Sequence, residues 1–369
     1  MSKILILANN STGLYIFRNE LVERLLKEGH EIVVSIPDTE HVLELEDEGC
    51  HIINTEMDRR GTNPLHDYKL YRFYRSLLKS EKPDMVLTYT IKPNVYGGYA
   101  CRKEHVPYIS TVTGLGSSFE WTGIKKKMIV TMYKMGLKGC RCVFFQNAAN
   151  KKLFEELNIK GQGSELVNGS GVNLEKHSYE DYPGHKDDIT RFLYIGRIMR
   201  EKGIDEYLYA ARKLREKYGD KVSVSVLGYS DEDYEVQLKR AVRDKYLKVI
   251  PFQKNVHPYI KEADAIVLPS YHEGMSNVLM EAAATGRPVL TTNINGCKET
   301  VDDGISGILF KPRDQEALLN AMELFAELPQ QQRAEMGRCG RNKMEKEFDR
   351  KKIVQAYVSK INEIIKKNN

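Results

Sequence analysis

The chain has 369 residues, 41% of them hydrophobic, a formal net charge of only +5 and no internal repeat. That length favours two domains over one, and the mild charge without a recognisable nucleic-acid-binding motif gives no support for a nucleic-acid partner. No apolar run approaches the roughly 20 residues of a membrane span, and the six cysteines (Cys50, Cys101, Cys140, Cys142, Cys297, Cys339) lack metal-ligand spacing apart from the Cys-x-Cys of "CRCVFF", so they read as reduced thiols of a cytoplasmic protein.

The N-terminal "MSKILILANN" has one Lys and a short apolar run, which predicts a first strand and not an export signal. Strand-like runs follow at "EIVVSIP", "DMVLTY", "PYISTVT" and "CRCVFFQN", separated by amphipathic segments such as "LYIFRNELVERLLKEG", a helix stopped at Gly29. A second series comprises "RFLYIGR", "VSVSVLG", "LKVIPF", "AIVLPS", "PVLTTN" and "GILF", again with helices between, and three helical segments complete the chain. This alternation predicts α/β architecture in two doubly wound, Rossmann-like lobes. The expected boundaries are 1–172 for the first lobe, completed by a C-terminal helix at about 349–369, then a polar, Gly-rich linker at 173–189 and a second lobe at 190–348. The loop after the first strand, "ANNSTGLY", lacks the Gly-x-Gly-x-x-Gly spacing of a dinucleotide site.

Charge is unevenly spread. Between Trp121 and Lys152 stand Lys125, Lys126, Lys127, Lys134, Lys138, Arg141, Lys151 and Lys152, with no Asp or Glu. "WTGIKKKMIVTMYKMGLKGCRC" mixes these cations with Met, Ile, Val, Tyr and Trp, and "HDYKLYRFYRSLLK" adds aromatics and further cations. Two readings are open: helices lying at an anionic membrane surface, or core helices with a solvated Lys face.

Two stretches of the second half carry chemistry. In "YIGRIMREKGIDEY", Gly196 permits a close turn, Arg197 offers a planar fork of donors and Lys202 a point charge just ahead of a helix. In "HEGMSNVLMEAAATG", Glu273 and Glu281 are eight residues apart. On one regular helix they would lie roughly 12 Å apart along the axis and about 80° around it, too far for an acid/base pair. A helix starting near Ser276 or Asn277 instead leaves Glu273 in the preceding loop, Glu281 two turns inside, and a helix N-terminus able to face an anion between them. An ordinary buried helix with a solvated Glu in front is the plainer alternative.

Taken together, Gly196, Arg197, Lys202, Glu273 and Glu281, with "GSGVNL", "AIVLPSYHEGMSNVLMEAAATGRPVLTTNINGCKETVDDGISGILF" and "TIKPNVYGGYACRKEHVPYISTVTGLGSSF", resemble the retaining glycosyltransferases of family 4. The last block resembles the bacterial subgroup that extends undecaprenyl-diphosphate-linked sugars in capsule, O-antigen and glycoprotein-glycan assembly. The resemblance implies the GT-B fold, two Rossmann-like lobes facing a cleft with the C-terminal helix crossing back to the first lobe. It further implies a nucleotide-sugar donor, UDP-linked, with no cofactor and no metal, and a polyprenyl-diphosphate-linked saccharide acceptor. The protein would work from the cytoplasm, peripheral to the inner face of the cell membrane.

By the same resemblance, Arg197 and Lys202 would hold the donor diphosphate and Glu281 the ribose hydroxyls. Glu273 would contact the transferred sugar, and the backbone at Gly274, Met275, Ser276 and Asn277 would face the β-phosphate and sugar. Gly13, in the loop after the first strand, would approach the diphosphate. Lys92 and Thr113 are assigned to the acceptor side, Thr113 standing where many relatives carry a His, and Lys125, Lys126, Lys127 and Lys134 to membrane contact. His272, beside the motif, reads as structural. A UDP-sugar 2-epimerase, a soluble polysaccharide synthase, or a non-catalytic nucleotide-sugar-binding scaffold would share most of these residues.

Overall fold

The computed structural model describes residues 1–58, 61, 63–115, 119, 122–185 and 187–368. Gly116, Ser117, Ser118 and Trp121 of the quoted stretches, and Lys186 of the linker stretch, lie outside the described residues. The chain divides into two compact units, Met1–Ser170 with Lys351–Asn369, and Gly171–Arg350.

The first unit is built on strands β1 (Lys3–Leu7), β2 (Glu31–Ile36), β3 (His51–Asn54), β4 (Met85–Tyr89), β5 (Tyr108–Val112), β6 (Cys142–Phe145) and β7 (Ser164–Leu166). They form a parallel sheet in the order β3-β2-β1-β4-β5-β6-β7. Helices α1 (Ser11–Lys27), α2 (Val42–Asp47), α3 (Pro64–Glu81), α4 (Gly98–Lys103), α5 (Gly123–Leu137) and α6 (Ala148–Glu156) connect them. A parallel sheet covered on both faces needs strands apolar on both sides, and β4, β5 and β6 are buried along their whole length. The two strands that the sequence reading passed over, β3 ("HIIN") and β7 ("SEL"), are the two edges, short and only partly buried. One core lies on the α1 and α2 face, through Leu14, Leu21, Leu25 and Leu45. The other, through Leu70, Tyr74, Cys101, Tyr133 and Phe154, carries α3 to α6.

The second unit contains β8 (Thr190–Ile195), β9 (Val222–Gly228), β10 (Lys248–Pro251), β11 (Ala265–Leu268), β12 (Val289–Thr292) and β13 (Gly307–Phe310). All are parallel, in the order β10-β9-β8-β11-β12-β13, and all six fall on runs expected to be strands. Its helices are α7 (Ile204–Tyr218), α8 (Glu235–Arg243), α9 (His257–Glu262), α10 (Asn277–Ala284), α11 (Gln315–Glu327) and α12 (Gln330–Lys343). The polar stretch ahead of β8 is tied to this unit by Arg287, almost fully buried. Its guanidinium donates to the carbonyl oxygens of Glu180 (2.9 Å) and Asp181 (2.8 Å), as well as to that of Lys261 (2.9 Å). Buried carbonyl groups need such donors.

The last helix, α13 (Arg350–Asn368), completes the first unit. Ile353, Tyr357, Val358, Ile361 and Ile364 form one buried stripe at helical spacing and join the core on the α1 face. The Tyr357 ring stacks on Phe144 at 4.0 Å between centroids, and its hydroxyl is 2.9 Å from Thr111 Oγ1. Arg18, also buried, places its guanidinium 5.3 Å from the Tyr89 ring centroid and 5.8 Å from that of Tyr357, a cation–π arrangement that compensates part of its desolvation.

Candidate functional site

In both units the strand order reverses direction beside the first strand, and ligands of open α/β sheets bind outside the carboxyl ends of strands at such a switch point. In the second unit the switch point lies between β8 and β11. The loop after β8 carries Gly196, Arg197 and Lys202, and the loop after β11 carries Glu273. The sheet therefore makes neighbours of two motifs separated by about 70 residues.

A glycine fixes the approach. Gly203 has φ of 73°, and a Cβ there would lie 2.1 Å from the Pro269 carbonyl oxygen. The turn 200–203 is thus seated on the end of β11, where the Tyr271 N–H also donates to the Glu201 oxygen at 2.9 Å. Lys202 Nζ then reaches Glu273 Oε1 at 2.5 Å, and the buried Ser270 Oγ donates to the same oxygen at 2.9 Å. Gly296, with φ of 88°, packs on the other side: a Cβ there would lie 2.6 Å from the Glu273 carbonyl oxygen. Arg197 donates through Nη1 to Asp231 at 2.7 Å, and its carbonyl oxygen accepts from the Tyr194 hydroxyl at 2.7 Å.

The helix α10 starts where the eight-residue spacing requires. Ser276 is its N-cap, in extended conformation, and its side chain makes no capping hydrogen bond. Glu273 lies in the loop ahead and Glu281 inside the helix. The helix N-terminus bears partial positive charge, though the Ser276 N–H is already given to the Gly296 carbonyl oxygen at 2.8 Å. Met275 turns its side chain into a core with Val172, Met280, Met344 and Phe348, which leaves only its backbone for a ligand.

The two glutamates differ electrostatically. Glu273 is ion-paired, whereas Glu281, its side chain 12% exposed, has its carboxyl pushed up to about 7 by desolvation, opposed by the charges of Arg350 and Lys176. His177 Nε2 lies 3.9 Å from Glu281 Oε1. Burial first, then Lys176, His257 and Arg350, push that imidazole down to about 3, so it is neutral, and its Nδ1 has no hydrogen-bond partner. His272 lies within 3.4 Å of Arg313.

The other expected residues belong to the first unit. Gly13 lies in the first turn of α1 and not in the loop ahead of it; its N–H is taken by the side chain of the N-cap Asn10. Thr113 follows β5 and is half-buried. Lys92 follows β4 and donates to Asp67 Oδ1 at 2.7 Å, with the Tyr96 hydroxyl on Oδ2 at 2.8 Å. Lys125, Lys127 and Lys134 lie exposed along α5 and Lys126 is half-buried, while Ile129, Tyr133 and Leu137 of the same helix are in the core. Ile124, 85% exposed, and Met128, 49% exposed, stand among the lysines.

Two residues escaped the sequence reading. Tyr229 after β9 and Phe252 after β10 are exposed aromatics at the same strand edge, with ring centroids 5.9 Å apart. Nothing in the sequence couples them, because they follow different strands. Among the described residues, no group of three or more His, Cys, Asp or Glu could hold a metal ion, and no helix is long and apolar enough to cross a membrane.

The profile of "Glycosyl transferases group 1" matches residues 177–343, and that of "Glycosyl transferase 4-like" matches residues 3–147. Fold, site and these matches define a glycosyltransferase of the GT-B fold, a class that uses nucleotide sugars. The chain is 24% identical over 336 residues to the N,N'-diacetylbacillosaminyl-diphospho-undecaprenol alpha-1,3-N-acetylgalactosaminyltransferase of Campylobacter jejuni, covering 87% of this chain and 88% of that one. It is also 24% identical to the capsular polysaccharide biosynthesis glycosyltransferase CapM of Staphylococcus aureus, over 99% and 98% of the two chains. Solved structures of the same fold include HepE of Anabaena with UDP and glucose (TM-score 0.79, 16% identity, 98% of this chain and 100% of that one). A glycosyltransferase of Rickettsia africae gives a TM-score of 0.77 at 18% identity, over 99% of both chains. Both profiles describe glycosyl transferases, in line with the resemblance, and together they match most of the chain.

Proposed function

We propose that the protein transfers a hexose or N-acetylhexosamine, with retention, from a UDP-sugar to a lipid-diphosphate-linked saccharide in bacterial surface-glycan assembly. The observation that carries this reading is the convergence of Arg197, Lys202, Glu273 and the N-terminus of α10 at the switch point of the second unit. Two cations and a helix N-terminus suit a diphosphate. When the donor binds, Arg197 turns from Asp231 to the phosphates and Lys202 shares its charge between Glu273 and the β-phosphate. Glu273 accepts from hydroxyls of the donor sugar, held in place by Ser270. Glu281 accepts from the ribose hydroxyls, and Tyr229 with Phe252 gives the base a stacking platform.

In the reaction the bond from the anomeric carbon to the β-phosphate oxygen breaks, and the acceptor hydroxyl bonds to that carbon on the same face. Its proton passes to the departing phosphate oxygen. Such a step needs positioning and stabilisation of the leaving charge more than a strong base, and no divalent ion is required where Arg197 and Lys202 neutralise the diphosphate. Lys92 and Thr113 belong to the acceptor side. The lysines of α5, with Ile124 and Met128 exposed between them, hold the protein against the anionic cytoplasmic face of the membrane.

The test is calorimetry against UDP, GDP, ADP and a panel of UDP-sugars, for the natural protein and Glu281→Ala. Selective UDP binding, weakened by the substitution, is the expected result; no nucleotide binding would overturn the donor site. Incubation with UDP-sugar alone checks the chemistry, since epimerised sugar and free UDP without a glycoside would favour the epimerase instead. Chelator should leave transfer intact, and strict metal dependence would contradict the mechanism.

A further inference from the structure

Within α10, Glu281 faces a residue that belongs to neither motif. Among the described residues the His177 ring is the one basic group at ion-pair distance from its carboxylate, with Nε2 3.9 Å from Oε1, and both side chains are largely shielded from solvent. Local sequence builds this neighbour. Asn173 Oδ1 accepts from the N–H groups of Glu175 at 3.0 Å and Lys176 at 2.8 Å, and the Asn173 carbonyl oxygen accepts from the His177 N–H at 2.9 Å, a turn of the kind that Asn side chains favour. Arg341 then straps this turn to the helix. Its Nη1 donates to the carbonyl oxygens of His177 at 3.0 Å and of Ala284, the last residue of α10, at 2.8 Å. The His257 ring meets that of His177 at 66°, with centroids 5.8 Å apart, and is itself placed by Glu180 at 3.2 Å and the Thr285 hydroxyl at 3.3 Å.

Filling space does not account for this imidazole. Its Nδ1 is buried with no hydrogen-bond partner, a loss of stability that a phenyl ring of similar volume would avoid. Burial first, then the charge of Lys176, keeps the ring neutral, so it carries a single N–H. A proton on Nδ1 would be a buried donor without an acceptor, which native structures rarely tolerate; the proton therefore sits on Nε2, the nitrogen nearest Glu281. An N–H opposite an ionised carboxylate forms a charge-assisted hydrogen bond, and a shift of about 1 Å brings this pair into range. We propose that His177 is a positioning residue of the nucleotide site: its Nε2–H holds one oxygen of ionised Glu281 and aims the carboxylate so that it accepts from both ribose hydroxyls at once. The site then discriminates ribonucleoside diphosphates from their 2′-deoxy counterparts. The inference rests on the ribose role given to Glu281 above and adds the residue that makes it selective.

The test is calorimetry of the full chain with UDP and 2′-deoxy-UDP, on the natural protein, His177→Phe, His177→Gln and Glu281→Gln, each with its melting temperature. The natural protein should favour UDP by roughly tenfold, the value of one hydrogen bond to a charged group. His177→Phe should bring that preference within about threefold while the melting temperature holds or rises, because ring volume is kept and the orphaned nitrogen is gone. His177→Gln, whose amide can donate from the position of Nε2, should restore most of the preference. A residue that only packs would behave in the opposite way, with stability moved and the preference untouched. Should His177→Phe fail to fold, His177→Asn, too short to reach Glu281, takes its place, and equal preferences in the Asn and Gln variants would overturn the role. An undiminished preference in His177→Phe, lost in Glu281→Gln, would overturn the part given to His177 and leave the donor reading standing. A preference unchanged in Glu281→Gln, or absent from natural protein that binds UDP, would remove the ribose assignment and this inference with it.

Discussion

The two units share a strand order but furnish its carboxyl edge differently. In the second unit the edge groups are fixed in short, charged pairs, Lys202 on Glu273 at 2.5 Å and Arg197 on Asp231 at 2.7 Å. In the first, the same edge has a roomy cavity of mixed polarity and exposed Leu65, Tyr68, Ile124 and Met128. One architecture thus supports a fixed-charge site suited to a small, highly charged ligand and a looser surface suited to an amphiphilic one. The difference teaches that the fold supplies the edge, and the loop residues decide what the edge takes.

The largest effect should come from breaking the charged edge. Arg197→Ala and Lys202→Ala should each lower kcat by roughly 10²–10³-fold, because each removes stabilisation of the leaving diphosphate; near-normal turnover in both would end the assignment. Next, joint replacement of Lys125, Lys126 and Lys127 by Glu should weaken partitioning to anionic vesicles by on the order of 10²-fold in a sedimentation assay, leaving UDP affinity unchanged. Unaltered sedimentation would reject the membrane role of α5 and with it half of the contrast between the units.

A smaller effect concerns the turn that brings the motifs together. Gly203→Ala forces a Cβ onto the Pro269 carbonyl and should cost ~1–3 kcal/mol of stability, with a further loss of kcat as Lys202 moves. Gly304→Ala, at the same φ of 73° with nothing within 4 Å of its Cβ, reports the cost of that backbone angle without a clash, and equal losses of melting temperature in the two variants would show that the Pro269 contact is unimportant.

The smallest effect is a pH dependence of the buried edge. With Glu281 raised from 4.5 to about 7, its ionised form, the stronger acceptor for ribose hydroxyls in the proposed role, gains population as pH rises through that range. UDP affinity should therefore increase by up to about tenfold between pH 6 and 8, the change in ionised population of one carboxylate titrating near 7, and Glu281→Gln should flatten the profile. Stability runs the other way. A carboxyl whose folded value is raised contributes fully below 4.5 and loses that contribution as pH rises through about 7. Glu281→Gln should accordingly gain on the natural protein in melting temperature at pH 8 relative to pH 5.

The strands of the second unit were legible either as unbroken apolar runs, such as the fully buried "AIVL" of β11, or by strict alternation, as in the "VSVSV" of β9. The edges β3 and β7 were not, since "HIIN" and "SEL" are too short and too polar to mark themselves. Gly13 was misplaced because Asn10, which caps α1, lies four residues ahead of Leu14, where the run from which the helix was drawn begins.

By itself, then, the sequence determined the α/β alternation, and it pointed to a helix start near Ser276 or Asn277 that separates Glu273 from Glu281 and to the residue types of the candidate site, all of which depend on local pattern and spacing. Only the tertiary structure decided that Gly203 seats Lys202 on Glu273, that Tyr229 meets Phe252, that burial raises Glu281, and that Asp67 anchors Lys92 beside a cavity. Each of these pairs residues far apart in the chain. Their proximity follows from strand order and their energetics from desolvation, and neither is written in any short stretch of sequence.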